Sequence, residues 1–527
     1  MSINGAGFLL FLALAAGVYY LLPKKHRWLV LLAASAFFYL AYSVRAGAYL
    51  LATITLTFAA ARGMEVLRRR ERAELDKWPE DRSAVKKRGK RRRRMVLAGA
   101  LVLNFATLAL FKYLDSWLGT ANRLLGLFGV SQAFRPLGLL LPLGISFYIF
   151  QTSGYLIDVY RGRVKPEGNF LKYALFACWF PQMIQGPINR YDKLQPQLLR
   201  GNDPDPVKIK RAIQLMIWGV LKKAFLADPL AGAVAELFDN FTQYQGASLL
   251  LGSALYCVQL YADFSGGTDL VRGASALFGV DMAENFHRPY FARSMDEFWR
   301  RWHMSLGEWM KDYLFYPLAL SGPMSRLGKR LRTRFGPQAG KLAAPCLSTV
   351  VVFLMVGLWQ GPGMSNIAYG LWNGGLMSLA MIFAPWFLKV NQRLDLDGEN
   401  LPFRVFQSLR TCGLVVVGRY FSRADSLMQA LRMLKRTVFH FGWGSLGAET
   451  FLSFGLTGTD WLRLGLAGGT LLAVELLLEK GVPLRERLDQ RPAWVQFALL
   501  FGAVLLLTAF VYLNTDYTAI MYVYENV

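Results

Sequence analysis

An all-α polytopic membrane protein is the fold class that this sequence predicts, and three observations predict it. The chain of 527 residues is 54% hydrophobic and only 18% charged, against roughly 25% charged residues in soluble proteins. Its apolar residues come in blocks that approach the roughly 20 residues a helix needs to cross a bilayer core. Its basic residues gather between those blocks, as membrane proteins arrange them in loops.

The blocks run in order Gly5–Leu22, Trp28–Tyr42, Gly47–Ala61, Met95–Leu110, Leu139–Ile157, Ser248–Tyr261, Leu342–Trp359, Ile367–Phe387, Leu462–Leu478 and Val495–Leu513. Together with shorter stretches they predict about 10 to 13 membrane-embedded helices in a single membrane domain, 1–527. Blocks that are short or carry a polar residue are expected to tilt, re-enter or pack inside the bundle. Residues 1–160 read as plain N-terminal spans, 161–390 as the core that carries chemistry, and 391–527 as C-terminal spans. The first segment begins MSINGAG; without a positive n-region it reads as a retained span rather than a cleaved signal.

The net charge of +25 invites a nucleic-acid reading, but the charge lies between apolar blocks, so no nucleic acid is expected. The densest cluster, Arg68 to Arg94, ends in KRGKRRRR and reads as a cytoplasmic loop touching anionic lipid headgroups. Lys24, Lys25 and Arg27, the 68–94 cluster, and Arg161, Arg163 and Lys165 all fall inside if the N-terminus is outside. Cys178, Cys257, Cys346 and Cys412 are scattered without CxxC spacing, so buried free thiols are expected and neither zinc nor a disulfide framework.

The centre of the chain differs from its flanks. From Asn169 to Pro323 polar and aromatic residues mix densely, which is tolerated at membrane depth only when buried in protein or facing a watery cavity. A second basic loop is expected around Arg326–Arg334. No internal repeat of the kind found in transporters is visible.

Of four histidines, His26 sits in a basic loop, His287 in the polar run ENFHRPY, and His440 in TVFHFGWG. His303 stands apart. The segment around it reads as helical, with Trp299, His303, Leu306 and Met310 on one stripe and Phe298, Trp302, Ser305 and Trp309 on the next. An imidazole among aromatics can take a proton from a hydroxyl at neutral pH; it can equally be a structural side chain bonded to a backbone carbonyl. Asp263, Ser265, Thr268 and Asp269 in YADFSGGTDLVRG either mark a helix break that lines a cavity or pair with Lys and Arg on neighbouring helices; the pairing is preferred, because buried charges need partners. Gln360 and Asn373 are amides in an apolar pair of segments, able to hold an oxyanion or to tie two helices together. No GxSxG elbow, P-loop, HExxH or GxGxxG in proper context appears.

Read together and in order, FKYLD (111–115), LPLGISFYIFQTSGYLIDVYRG (141–162), FPQMIQGPINRYDKL (180–194), KKAFLAD (222–228), YADFSGGTDL (261–270), ENFHRPY (284–290), EFWRRWHMSLGEWMKDYLFYPL (297–318), GLWQGPG (357–363), YGLWNG (369–374) and SRADSLMQA (422–430) resemble the membrane-bound O-acyltransferase family, in the bacterial branch that acetylates alginate or D-alanylates lipoteichoic acid. The resemblance implies a ring of helices around a central funnel. There an acyl group, acetyl by the nearer likeness, passes from a cytoplasmic thioester donor (acyl-CoA or acyl-carrier protein) toward hydroxyls of an extracellular polysaccharide or wall polymer. It implies residence in a bacterial cytoplasmic membrane, no bound cofactor or metal, and an extracytoplasmic partner of SGNH-hydrolase-like type. His303 matches the histidine of the family's WH motif.

One departure matters. The family's expected catalytic histidine sits in GLWHG; here the motif reads GLWQG, with Gln360 in its place. An amide cannot act as a general base. Either His303 is the base and Gln360 and Asn373 hold the thioester carbonyl, or the chain is an inactive scaffold, or the histidine was replaced by design; Pro362 and Gly363 speak for a natural local variant. In the active reading Trp302, Trp359 and Trp372 wall the substrate tunnel, with Asp263 and Ser265 along it. A transporter is the lesser alternative.

Overall fold

A computed structural model describes residues 6–129, 133–139, 141–396 and 398–513. Gly5 and Leu140, which fall within expected spans, and residues 514–527 of the C-terminal region lie outside the described residues. Among those described the architecture is all helical, with one isolated antiparallel bridge and no strand. Among the described residues seven helices are long and apolar enough to cross a membrane: Val44–Lys77, Arg82–Gly126, Gly246–Ala276, Pro337–Gln360, Met364–Arg393, Gly458–Glu479 and one spanning Ala493–Phe510. The segment Gly7–Leu21 is apolar but shorter.

The described residues form two compact units, one of 6–213 with Val271–Ala283, the other of Gln214–Leu270 with those of 284–513. In the first unit α1 (Ala6–Leu21), α2 (Arg27–Tyr42), α3 (Val44–Lys77), α4 (Arg82–Gly126), α5 (Ile145–Arg161) and α6 (Phe170–Cys178) pack in sequence order. The basic segment 68–94 is not a loop. It is the tip of a helical hairpin, turned at Pro79–Asp81, in which α3 and α4 continue past their apolar parts. Arg, Lys, Glu, Leu and Ala are all strong helix formers, so charge alone does not end a helix. At 45 residues and about 1.5 Å per residue, α4 is about twice as long as a bilayer core of roughly 30 Å. The arms are zipped by Glu71 with Arg93 and Glu74 with Arg92, and Asp81 of the turn pairs with Arg88 of α4. Gly89 leaves room for Glu71, whose carboxylate occupies the space a Cβ would take.

The motif LPLGIS turns on Gly144. Its φ of 66° is left-handed, and a Cβ there would lie 2.2 Å from the Met183 carbonyl oxygen. Buried polar side chains then tie this unit together: Tyr39 donates to Leu143 O (2.8 Å), Tyr173 to Thr57 (2.8 Å) and Trp179 to Ser275 (3.2 Å).

The second unit contains the C-terminal end of α7 (Pro206–Lys222), α8 (Asp228–Asp239), α9 (Gly246–Ala276, up to Leu270), α10 (Met295–Arg301), α11 (Met304–Met310), α12 (Gly322–Phe335), α13 (Pro337–Gln360), α14 (Met364–Arg393), α15 (Leu401–Arg423), α16 (Leu427–Phe439), α17 (Gly458–Glu479) and α18 (Ala493–Leu513). The second basic segment, 326–334, is again helix rather than loop: it lies within α12, which packs on α13. The run YADFSGGTD does not break its helix, and α9 is continuous through it. Its glycines serve approach instead: a Cβ on Gly266 would come within 2.7 Å of Gly219 O. All four cysteines are free, with Cys346 and Cys412 half-buried.

Candidate active site

The segment around His303 is built from two short helices, not one. Ser294 caps α10 by accepting from the Glu297 amide (3.2 Å), and Glu297 returns by accepting from Arg293 N (2.8 Å). This S-x-x-E arrangement satisfies amides that a helix start leaves open. The helix then stops. Trp302 is extended and His303 has φ 46° and ψ 53°, after which α11 begins. The expected single stripe through Trp299, His303, Leu306 and Met310 is therefore interrupted at its second member. The cause is tertiary. The run Asn285–His287 lies alongside: Phe286 bridges Trp302, His287 N donates to Arg301 O (2.9 Å) and Met304 N to Asn285 O (3.0 Å). Arg301 is anchored by Glu297 (2.6 Å) and Glu479 (3.0 Å). A non-glycine residue in the left-handed region costs of order 1–3 kcal/mol and persists where its surroundings over-determine it, often at functional sites.

His303 is 3% exposed. Phe264 meets its ring edge-on at 4.8 Å, and the Trp359 ring is 6.0 Å away. Its Nδ1 faces the Oδ1 of buried Asn285 at 3.4 Å. That oxygen also accepts from the Ser305 amide (3.2 Å) and hydroxyl (2.6 Å). The Ser305 amide can only donate, which fixes the acceptor end of Asn285 and assigns the proton of His303 to Nδ1. Nε2 then carries the lone pair, as a general base requires. His303 lies outside the seven candidate spans, and burial pushes its pKa down to about 3, so the imidazole is neutral at physiological pH. Neither Asn285 nor Ser305 stood out as a site residue in the sequence; the signal was the polar run ENFHRPY, which lacked a stated partner.

Trp302 is 2% exposed. Phe298 stacks on it at 5.7 Å, Phe286 meets it edge-on at 5.1 Å, and the Arg419 guanidinium lies 4.9 Å from its centroid.

The two glycine-rich motifs form the α13–α14 hairpin. A Cβ on Gly357 would lie 2.2 Å from Asn366 O, and one on Gly370 would lie 2.4 Å from Phe353 O. These glycines let the helices touch backbone to backbone. The hairpin brings buried Trp359 to His303, with half-buried Gln360 ending α13 just beyond it. Asn373 behaves as a helix tie: its Oδ1 accepts from Trp299 Nε1 (3.2 Å) and its Nδ2 donates to Tyr369 O (2.8 Å). Trp372 turns toward α15, where its Nε1 donates to Leu414 O (3.0 Å). Asp263 shares Lys223 with Asp228 (2.8 and 2.9 Å), and Ser265 shares Lys222 with Asp269 (both 2.8 Å). The two lysines reach these carboxylates from the π-helical turn Lys223–Ala227 and the residue before it. Pairing, not a cavity-lining break, is what the structure gives for Asp263 and Ser265.

The remaining histidines are peripheral. His26, His287 and His440 are exposed, and His287 Nε2 is 2.6 Å from Arg288 Nη2. Among the described residues no three His, Cys, Asp or Glu side chains gather as a metal site would need.

Comparison with known proteins completes the picture. The sequence model of "MBOAT, membrane-bound O-acyltransferase family" matches residues 163–408. The chain is 33% identical over 434 residues to "Probable alginate O-acetylase AlgI" of Pseudomonas putida, covering 82% of this chain and 79% of that one. It is 30% identical over 372 residues to the peptidoglycan O-acetyltransferase of Helicobacter pylori, covering 66% and 65%. It is 24% identical over 259 residues to the teichoic acid D-alanyltransferase of Bacillus subtilis, covering 48% and 62%.

Proposed function

As a member of the membrane-bound O-acyltransferase family the chain is a multi-pass acyltransferase, and from that premise we propose that it passes an acetyl group from a cytoplasmic thioester toward hydroxyls of an extracytoplasmic polysaccharide or wall polymer. The observation that carries the chemistry is the buried neutral imidazole of His303, oriented by Asn285 and set 6.0 Å from Trp359 of the GLWQG motif. The acetyl group and the polymer class rest on the relatives named for O-acetylation.

In this reading Nε2 of His303 takes the proton of the acceptor hydroxyl as its oxygen attacks the thioester carbonyl. The tetrahedral oxyanion and the imidazolium form together, each stabilising the other in a site of low dielectric. Collapse breaks the carbon–sulfur bond. The imidazolium returns its proton to the departing thiolate, leaving an ester and a thiol. Gln360, at the end of α13, offers an amide donor for the carbonyl oxygen. Asn373 is spent on the helix tie, so the oxyanion role passes to Gln360 alone. Trp302 and Trp359 exclude water around the imidazole.

The donor is acyl-CoA or an acyl-carrier protein, both anionic, and the basic tip of the α3–α4 hairpin supplies attraction for it on the cytoplasmic face. In this reading the N-terminus lies outside, in a bacterial cytoplasmic membrane, as the distribution of basic residues supports. An SGNH-hydrolase-like partner on the outer face completes transfer to the polymer.

The test is acyl transfer in membranes with labelled acetyl-CoA, comparing the native chain with His303→Ala and Gln360→His. Loss of transfer in His303→Ala, with the protein still in the membrane, is expected; retained transfer overturns the assignment. Gln360, an amide where the family places a histidine, favours one rival, a scaffold without activity of its own. Activity only in Gln360→His would decide for it.

A further inference from the structure

Among the described residues four cations are almost fully buried, and three of them are held by backbone carbonyls or carboxylates. Arg27 donates to three backbone carbonyls, Leu22, Asn202 and Tyr20. Lys222 holds Ser265 and Asp269, and Lys223 holds Asp228 and Asp263. Arg419 is the exception. It is 2% exposed, in the apolar stretch GLVVVGRYF of α15. Its Nη1 donates to the Tyr369 hydroxyl at 3.2 Å, and the Tyr290 hydroxyl and the Cys257 thiol are further polar neighbours of the guanidinium. Its polar neighbours are the Tyr369, Tyr290 and Tyr256 phenols and the Cys257 thiol, none of them an acid ionised at neutral pH. Burying a guanidinium with neutral partners alone is costly, and an apolar side chain of similar volume would serve packing better.

What the guanidinium does possess is a ring face. It sits 4.9 Å from the centroid of Trp302 and 6.0 Å from that of Tyr369. Trp302 is the residue immediately before His303, whose left-handed backbone carries the imidazole into the site. Any rocking of Trp302 rotates the peptide that joins it to His303, and so moves Nε2 away from the attacking hydroxyl. Misplacement of a reacting group by about 1 Å can cost about 100-fold in rate. The other contacts of Trp302, to Phe298, Phe286, Tyr261 and Tyr290, are ring contacts. The cation adds an attraction directed at the indole face.

We infer that Arg419 is a positioning residue for acyl transfer, acting through the face of Trp302 to fix His303. This rests on His303 being the base, and the test keeps the two apart. Acetyl transfer from labelled acetyl-CoA is measured on the full chain in membranes, normalised to protein present, for Arg419→Met, Arg419→Lys, Trp302→Leu and the double variant Arg419→Met with Trp302→Leu. Arg419→Met is expected to lower kcat by about 10- to 100-fold with KM for the thioester unchanged, and Arg419→Lys to recover most of it. In the Trp302→Leu background the same Met substitution should cost less than about twofold, because residues that act through one another are not additive. Full activity of Arg419→Met, equal loss in both backgrounds, or a Lys variant no better than Met would each overturn the inference. If Arg419→Met fails to accumulate, Arg419→Gln replaces it in the same comparison. His303→Ala, run in parallel, separates the readings. If it is active, the base assignment falls and this inference with it; if it is inactive while Arg419→Met is fully active, only the positioning role falls.

Discussion

Asn285 Oδ1 and His303 Nδ1 face each other at 3.4 Å with both side chains buried, and the same oxygen accepts two further bonds from Ser305. This carbonyl sets the tautomer of the imidazole proposed as the base. Asn285→Ala removes the acceptor of three donors at once, each bond worth about 0.5–1.5 kcal/mol. The expected result is a 10- to 100-fold fall in kcat, of the order general-base alignment contributes, with a lowered melting temperature in detergent. Unchanged kcat would remove Asn285 from the site.

The pH dependence follows from burial. The proposed base, His303, would act in its neutral form, and burial pushes its pKa down to about 3, below the ordinary 6.5. The neutral form therefore persists as pH falls through 6.5, and kcat/KM should show no acid inflection there. Asn285→Asp places a carboxylate beside Nδ1, which favours the imidazolium and raises its pKa. Its acid limb should move to higher pH than that of the native chain. Superimposable profiles would contradict the geometry.

The α13–α14 contact is glycine-limited. Gly370→Ala puts a Cβ 2.4 Å from Phe353 O, whereas a Cβ on Gly375 meets nothing within 4 Å. Overpacking of this kind costs about 1–3 kcal/mol. Thermal melting in detergent should drop for Gly370→Ala and stay near native for Gly375→Ala; equal melting points would refute the close approach.

Lys223 joins Asp228 and Asp263 in one buried triad. Lys223→Met removes the ammonium and leaves both carboxylates buried, a change worth about 3–5 kcal/mol. Replacing all three with apolar residues should recover much of that loss. A Lys223→Met protein as stable as the native one would show that the triad is not a structural lock.

Much was legible in the sequence because the physics behind it is local. Apolar blocks marked most of the spans, since a helix in lipid needs about 20 such residues whatever surrounds it. The preference for paired over free Asp263 followed from the cost of burying a charge. His303 stood out as a lone ionisable group among aromatics. Other features misled. The 68–94 segment looked like a loop because of its charge, yet Lys and Arg are good helix formers, and only Pro79 and its neighbours turn the chain. The glycines of YADFSGGTD do not break α9; Gly266 serves a close approach to the Gly219 backbone. Arg419 was visible as one cation in GLVVVGRYF but had no partner within reach of local reasoning.

By itself the sequence determined the class, most of the long apolar helices, the acyltransferase family and the candidate base, because composition, hydropathy and ordered motifs depend on residues near one another in the chain. Only the tertiary structure decided that His303 sits at a helix break, that Asn285 fixes its tautomer, that Asn373 is spent on Trp299, and that Arg419 covers Trp302. Those relationships join residues 18, 20, 74 or more positions apart. They arise where Asn285–His287 pairs with the chain at 301–304 and interrupts a helix whose local sequence would have continued.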